Sequence, residues 1–376
     1  MTRSHQTVAI LGAGINGVAL ARELALNRVP VVLIDRGDVA SGTTAYSSRL
    51  IHGGLRYLEY GELSLVRESL AERTRLLQLA PQFVQPLELQ IPVRHRRGGW
   101  LPAIRRFLGG GSPPRHVERG MWLVRSGWWM YDRYARDRSL PQHSVVSVES
   151  ADAIGVDPER YRWICRYWDA QVTFPERLVL SMLTDARELA AQSGTSCELC
   201  TYHDARLDGD TLELTPRLGS RDSELVRIRV AAIINATGAW VDHTLAALGE
   251  HGPPRIGGTK GTHFLTFHPP LCEAVGQRGL YAEAEDGRPV FVLPLAGGVL
   301  VGTTDLPYSG DPAEAVATED ELQYLLDLVR SLLPQVGLTR EHIALHYAGV
   351  RPLPHVSDTS PAGVTRRHWL EPHTDL

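Results

Sequence analysis

The sequence contains few cysteines, a single lysine and no long apolar run. Four cysteines are too few for a disulfide framework in 376 residues, so we expect a reducing compartment. Cys197 and Cys200 form a C-x-x-C pair, but no second pair lies nearby to complete a zinc site, which favours two half-buried thiols and no metal. No apolar run reaches the roughly 18 residues of a spanning helix, and only a short polar lead precedes the first apolar run, so we expect neither a membrane span nor a signal peptide.

The composition is typical of a soluble globular protein, with 43% hydrophobic and 22% charged residues. A chain of 376 residues exceeds the usual size of a single hydrophobic core, which predicts two domains. The net charge of −4 gives no reason to expect a nucleic-acid partner. We therefore expect a cytoplasmic protein of two domains.

The start of the chain has the pattern of a dinucleotide-binding unit. Residues 7–11 and 31–35 are short apolar runs typical of buried strands, with helix formers between them. A G-x-G-x-x-G motif follows the first run. Gly12 permits the tight turn, Gly14 lets the backbone approach a pyrophosphate, and Gly17 lets helix and strand pack closely.

The residues after the motif favour FAD as the dinucleotide. The phosphates are expected at the helix N-terminus, where free N–H groups favour negative charge. Asp35 ends the second strand and is placed to accept hydrogen bonds from the ribose hydroxyls. The motif alone does not separate NAD from FAD. A run of hydroxyl side chains that suits an extended pyrophosphate and ribityl chain follows it and favours FAD: Ser41, Thr43, Thr44, Ser47 and Ser48.

A longer resemblance begins in this loop. Residues 47–59, with the sequence SSRLIHGGLRYLE, closely resemble the signature of FAD-dependent, quinone-linked glycerol-3-phosphate dehydrogenases. Similar motifs continue through nearly the whole chain, among them NATGAW at 235–240, KGTH at 260–263, GTTD at 302–305 and GVRP at 349–352.

The resemblance implies a fold that combines α/β and α+β parts. A Rossmann-like FAD-binding domain of the amine-oxidase and D-amino-acid-oxidase type is expected to carry an inserted substrate domain with an antiparallel sheet. The FAD-binding domain is expected to be discontinuous, over residues 1–85, 150–250 and 340–376. Residues 86–149 and 251–339 are assigned to the substrate-binding domain, and the C-terminal helical cap of the family is expected to be absent.

The implied reaction is the oxidation of sn-glycerol 3-phosphate to dihydroxyacetone phosphate by hydride transfer to the flavin. Arginine suits the phosphate dianion because its planar fork matches phosphate oxygens and stays charged. His52 has a suitable pKa for a general base, but packing against the flavin ring is an equally open role. The resemblance assigns catalysis to His52, Arg56 and Arg351, and substrate binding to Arg56, Tyr57, His263, Arg351 and Arg366.

The same resemblance extends the set of cofactor contacts. The turn after the strand at 226–235 is expected to bring backbone close to FAD, as the family's second flavin-contacting motif does. Lys260, the single lysine, begins a strand that is expected to face the site, where neutralising the electron-rich flavin is one open role. The predicted cofactor-binding residues are Gly12, Gly14, Asn16, Gly17, Asp35, Arg36, Thr43, Thr44, Ser47, Ser48, His52, Ala236, Thr237 and Gly238.

A basic, tryptophan-rich segment bears on the electron acceptor. Residues 94–138 contain eleven arginines, three acidic residues and four of the eight tryptophans. A lipid-soluble quinone requires contact with a membrane surface, and such a segment suits the inner face of the cytoplasmic membrane. The alternative is that these arginines pair with acids elsewhere and the tryptophans lie in the core. A homodimer is a further possibility.

The sequence also departs from the family. Relatives continue past the end of this chain with a Gly-Gly-Lys segment and a helical cap, and the resemblance implies that this segment closes over the flavin. We therefore expect weakened retention of FAD. Two alternatives to the quinone-linked dehydrogenase stay open, namely an oxidase that uses oxygen and a truncated, non-catalytic flavoprotein relative.

Overall fold

The computed structural model describes residues 7–54, 62–94, 140–218, 225–284, 286–356 and 364–373. The strands in chain order are β1 (Val8–Leu11), β2 (Val31–Ile34), β3 (Leu50–Ile51), β4 (Val84–Val93), β5 (Ser144–Ser147), β6 (Trp163–Val172), β7 (Cys197–Cys200), β8 (His203–Asp208), β9 (Thr211–Pro216), β10 (Val226–Arg229), β11 (Ala232–Asn235), β12 (Thr259–Thr266), β13 (Gly279–Glu283), β14 (Pro289–Leu295), β15 (Gly298–Gly302), β16 (Leu306–Pro307) and β17 (Ile343–Arg351). The α-helices are α1 (Ile15–Leu26), α2 (Leu63–Leu79), α3 (Pro175–Gln192), α4 (Val241–Ala247), α5 (Pro269–Val275) and α6 (Glu319–Leu332).

The predicted dinucleotide-binding unit forms a four-stranded parallel sheet in the order β11-β1-β2-β7. The two central strands, β1 and β2, are apolar throughout because both of their faces are covered. On one face, Ile10 and Leu33 pack against helices α1 and α3. On the other face, Ala9 and Val32 pack against the three-stranded antiparallel sheet β10-β9-β8.

The C-x-x-C pair lies on β7, where its two thiols separate. Cys197 packs into the cluster on the helix side of the sheet, and Cys200 packs into the cluster on the opposite side. Residues three apart on a strand point to opposite faces, so the two sulfurs do not form one site. Burial raises the pKa of both thiols, which keeps them protonated and unreactive near neutral pH.

In the described part of the chain, the second, larger sheet has ten strands in the main order β16-β12-β15-β14-β13-β4-β6-β3, with β17 beside β12 and β5 beside β6. Its pairings are antiparallel except that of β13 with β4, which is parallel. Helix α6 covers one face and packs Leu325 and Val329 against Phe264 of β12 and Val292 of β14. The helix begins at a capping box in which Thr318 and Glu321 satisfy each other's backbone amides.

The sheets do not follow the predicted domain boundaries throughout. Strand β6 falls in the part predicted for the FAD-binding domain, residues 150–250, yet it pairs with β4 over the whole of Trp163–Val172. Strand β17 falls within 340–376 and pairs with β12. Both strands belong to the large sheet because they pair with β4 and β12, which lie about 80 residues away along the chain and which a local sequence pattern does not reveal.

Candidate active site

The glycine turn between β1 and α1 has no room for side chains. Gly12 has φ +104°, and a Cβ there would lie 2.6 Å from the carbonyl oxygen of Ala236. A Cβ at Gly17 would overlap the carbonyl oxygen of Gly12. The backbone therefore closes on itself as a phosphate-binding turn requires, and Gly14 is the N-cap residue of α1, with no side chain to cap it.

Asp35 holds this turn from the end of β2. Its Oδ2 accepts a hydrogen bond from the amide of Ala13 at 2.7 Å, and its Oδ1 accepts one from the amide of Gly37 at 2.8 Å. Each carboxylate oxygen accepts more than one hydrogen bond, so these contacts leave capacity for ribose hydroxyls. Asp35 thus lies where the motif places it, with an additional role in orienting the turn.

The hydroxyl-rich loop after β2 lies between the four-stranded parallel sheet and the large sheet. Thr44 Oγ1 accepts a hydrogen bond from the amide of Ile15 at 3.2 Å, at the start of α1. Thr43 Oγ1 donates to the carbonyl of Val350 on β17 at 3.0 Å. Ser41 instead turns back and donates to the carbonyl of Asp38. The loop thus joins the glycine turn to the large sheet.

The predicted second turn, from Ala236 to Gly238, lies beside the first. The amide of Ala236 donates to the carbonyl of Leu11, which continues the pairing of β11 with β1. Asn235 Oδ1 accepts hydrogen bonds from the amide and the hydroxyl of Thr237 and so shapes the turn. Gly238 has φ +59° and approaches the Thr43 hydroxyl.

A cavity of about 210 Å³ opens beside this loop. Its lining residues are Thr43, Tyr46, Ser47, Ser48, Leu50, His52, Gly261, His263, Phe291, Gly349, Val350 and Arg351. Six of the predicted site residues therefore meet here: Thr43, Ser47, Ser48, His52, His263 and Arg351. Sequence reasoning missed the other six, which are Tyr46, Leu50, Gly261, Phe291, Gly349 and Val350. Gly261 and His263 are two positions apart on β12 and therefore share one face of the strand, so the prediction of His263 was the available signal for Gly261.

His52 lies in the loop that follows β3. Burial lowers the pKa of His52, the carboxylate of Asp169 raises it, and the charge of Arg366 lowers it. The ring is therefore neutral near pH 7, and its Nδ1 accepts a hydrogen bond from the amide of Gly54 at 3.0 Å. In that tautomer Nε2 carries the proton and acts as a donor. To take up a proton, His52 must release the Gly54 amide.

His263 is buried at the cavity wall, with 2% of its surface exposed. Burial, followed by the charges of Arg351 and Arg49, lowers the pKa of His263 to about 3. Its Nε2 forms a 2.9 Å hydrogen bond with the Ser48 hydroxyl, and its ring stacks on Tyr347 at 5.0 Å between centroids. Nδ1 is buried and has no hydrogen-bond partner among the described residues.

Arg351 ends β17 at the same cavity. Its Nη1 lies 2.9 Å from Oδ1 of Asp305, and its Nη2 donates to the Thr303 hydroxyl at 2.9 Å. Arg366 donates to the carbonyl of Val364 and influences the pKa of His52. Arg56 and Tyr57 lie outside the described residues.

Lys260 does not line the cavity. Its Nζ lies 2.8 Å from Oε2 of the buried Glu321 and donates to the carbonyl of Val316 at 2.9 Å. Lys260 and His263 are an odd number of positions apart on β12, so they face opposite sides of the large sheet. The suggestion that Lys260 neutralises the flavin is therefore wrong, because its charge is committed to Glu321.

The residues present fit a bound FAD. The glycine turn leaves backbone N–H groups at the start of α1, Asp35 retains acceptor capacity, and the hydroxyl loop leads from this turn to the cavity. The cavity at the end of this path, lined by His52, His263 and Arg351, is where the isoalloxazine is expected.

This fold and site define a class of protein, the FAD-dependent oxidoreductases. The family DAO, described as FAD dependent oxidoreductase, matches residues 7–370, which is nearly the whole chain. FAD as the predicted cofactor and the predicted fold class are thereby confirmed.

Similar proteins narrow the class. A glycerol-3-phosphate dehydrogenase from Synechocystis sp. is 36% identical over 97% of this chain and 64% of its own length. An aerobic glycerol-3-phosphate dehydrogenase from Escherichia coli is 31% identical over 97% of this chain and 67% of its own length. The crystal structure of the glycerol-3-phosphate dehydrogenase from Bacillus halodurans, in complex with FAD, matches with a TM-score of 0.66 and 19% identity, covering 94% of this chain and 58% of that one. The chain belongs to the family of FAD-dependent glycerol-3-phosphate dehydrogenases, and it spans about two thirds of the length of these curated relatives.

Proposed function

We propose that this protein oxidises sn-glycerol 3-phosphate to dihydroxyacetone phosphate. The observation that carries the proposal is the cavity beside the glycine turn. Arg351, whose guanidinium is held by Asp305 and Thr303, meets the neutral side chains of His52 and His263 there. A phosphorylated alcohol needs a cation for its phosphate and a proton acceptor for its hydroxyl. Arg351 supplies the first, and the two imidazoles are candidates for the second.

The charges around the two histidines favour His52 as the proton acceptor. The carboxylate of Asp169 supports the protonated form of His52. His263 faces the guanidinium groups of Arg351 and Arg49, which oppose a positive charge on its ring. We therefore assign His263 to hydrogen bonding through its neutral ring and His52 to taking the hydroxyl proton. FAD, when bound, supplies the acceptor for the hydride.

The electron acceptor is a second part of the proposal. We propose a quinone, reached at the cytoplasmic membrane surface, because the family resemblance implies it and the segment 94–138 has a suitable composition. Most of that segment lies outside the described residues. None of the helices in the described part of the chain is long and apolar enough to cross a membrane. Comparing hydrogen peroxide yield with reduction of a soluble quinone distinguishes this acceptor from oxygen.

Flavin reduction tests the reaction itself. The purified protein is reconstituted with FAD, its visible spectrum is recorded, and glycerol 3-phosphate is added without oxygen. Bleaching of the flavin band is expected with glycerol 3-phosphate, and much weaker bleaching with glycerol, which lacks the phosphate that Arg351 is proposed to bind. A protein that holds FAD but is bleached by neither compound contradicts the proposal.

A further inference from the structure

The Arg351 side chain is held from one side by the segment that follows β15. Asp305 Oδ1 lies 2.9 Å from Nη1, and the Thr303 hydroxyl accepts from Nη2 at 2.9 Å. The carbonyl of Thr304 lies 3.5 Å from both nitrogens. An arginine side chain has several rotatable bonds, so acceptors at both terminal nitrogens restrict it to one orientation.

Strand β12 leaves space for this arrangement. A Cβ at Gly261 would lie 2.7 Å from Nη2 of Arg351 and would overlap the hydroxyl of Thr303. Gly261 pairs with Gly349 of β17, and both glycines line the cavity. The absence of a side chain at Gly261 is therefore what lets the guanidinium and the Thr303 hydroxyl meet.

The segment that carries Asp305 is itself fixed from the core. Thr304 Oγ1 accepts from the amide of Thr262 at 2.8 Å and donates to Oε1 of Glu321 at 2.8 Å. Glu321 is 3% exposed and is held by Lys260 and by the capping box of α6. The chain at Thr304, next to Asp305, is thus fixed by buried contacts, which holds the backbone of Asp305 in place beside Arg351.

We propose that Asp305 is a positioning residue for the substrate phosphate, which it serves by fixing the guanidinium of Arg351 at the cavity wall. The proposal rests on the function proposed above. An arginine that is already ordered loses less conformational entropy when it binds an anion, so affinity rises without a new contact. The carboxylate also has an opposing effect, because it reduces the net positive charge that a dianion meets. We assign the larger effect to positioning. Removing the carboxylate is therefore expected to weaken substrate binding, whereas a pure charge effect would strengthen it.

Two substitutions separate position from charge. Asp305→Ala removes the acceptor and the charge, whereas Asp305→Asn removes the charge and keeps an oxygen for Nη1. Asp305→Ala is expected to raise KM for glycerol 3-phosphate at least about tenfold, with kcat changed less than about threefold and an unaltered flavin-to-protein ratio. Asp305→Asn is expected to recover most of the lost affinity. Asp210→Ala is the control, because Asp210 pairs with Arg229 with 72% of its side chain exposed.

The opposite outcomes are equally clear. A KM for Asp305→Ala at or below that of the unmodified protein means that the carboxylate only neutralises charge, and it overturns the proposal. A loss of flavin in proportion to the rise in KM assigns Asp305 to stability. If the unmodified protein is not reduced by glycerol 3-phosphate, the proposed function fails separately. Calorimetric titration with inorganic phosphate then decides the role of Asp305, with weaker binding to Asp305→Ala expected and equal or tighter binding contradicting it.

Discussion

Replacing Gly12 with alanine tests the phosphate-binding turn. The φ of +104° at Gly12 lies in a region that alanine avoids, and the new Cβ would lie 2.6 Å from the carbonyl oxygen of Ala236 and 2.8 Å from its carbonyl carbon. The backbone strain costs about 1–2 kcal/mol, and displacing tightly packed backbone adds about 1–3 kcal/mol. We therefore expect a loss of about 3 kcal/mol in the free energy of unfolding, together with loss of FAD, because the displaced strand carries the second cofactor turn.

Gly209 provides the matched control for this substitution. It has φ +60° in the turn between β8 and β9, and a Cβ there meets nothing within 4 Å among the described residues. Gly209→Ala therefore carries only the backbone strain, about 1 kcal/mol, and should leave FAD binding unchanged. The assay is urea unfolding of the cofactor-free protein combined with the flavin-to-protein ratio after reconstitution. Equal unfolding midpoints and equal flavin content for the two variants would refute the assignment of Gly12 to the cofactor turn.

Three further predictions concern charged and titratable side chains. Arg351→Ala should raise the glycerol 3-phosphate concentration for half-maximal flavin bleaching about 100-fold while flavin content is retained. Arg340→Ala, which breaks only an exposed ion pair, should change neither quantity. A parallel loss of flavin in Arg351→Ala would make Arg351 structural. The pKa of His263 is about 3 in the folded protein and about 6.5 in the unfolded chain, so the folded protein loses stability as the pH falls below about 6.5. Between pH 7 and pH 5, the free energy of unfolding should fall by about 2 kcal/mol less in His263→Gln than in the unmodified protein. An unchanged pH dependence would contradict this. Lys260→Met leaves Glu321 buried without its cation and should lower the free energy of unfolding in urea by about 3–5 kcal/mol. Arg340→Met breaks an exposed ion pair and is the matched control. An equal loss in both variants would refute the claim that burial makes the Lys260–Glu321 pair costly to break.

The elements that sequence reasoning predicted correctly have local causes. The glycine turn was predictable because its G-x-G-x-x-G spacing is local, and a Cβ at Gly17 would overlap the carbonyl oxygen of Gly12 five residues earlier; the steric limit at Gly12 itself is set by the distant Ala236. The Gly297-Gly298 pair indicates the hairpin of β14 and β15, although the structure places Ala296 and Gly297, both with positive φ, in its two-residue loop and Gly298 at the start of β15. Helix α6 is also encoded locally, since its apolar periodicity is strong and begins after the capping residue Thr318.

The elements that sequence reasoning missed depend on distant partners. The apolar run at 226–235 was predicted as one strand but forms β10 and β11, which join different sheets. Phe291 reaches the cavity from β14, and nothing in its own segment indicates that a histidine from the loop after β3 lies beside it. The pairing of Lys260 with Glu321 joins positions 61 residues apart and has no signature in either segment. Each of these features depends on residues that meet only in the assembled sheet.

Product formation by the reconstituted protein tests the central claim most directly. A known amount of flavin-loaded protein is mixed with excess glycerol 3-phosphate without oxygen or quinone, and both reduced flavin and dihydroxyacetone phosphate are quantified in a single turnover. We predict one dihydroxyacetone phosphate for each flavin reduced, with much slower product formation by the protein that carries Arg351→Ala at a substrate concentration below its raised half-maximal value. Flavin that stays oxidised, or flavin reduction without dihydroxyacetone phosphate, would contradict the proposed reaction.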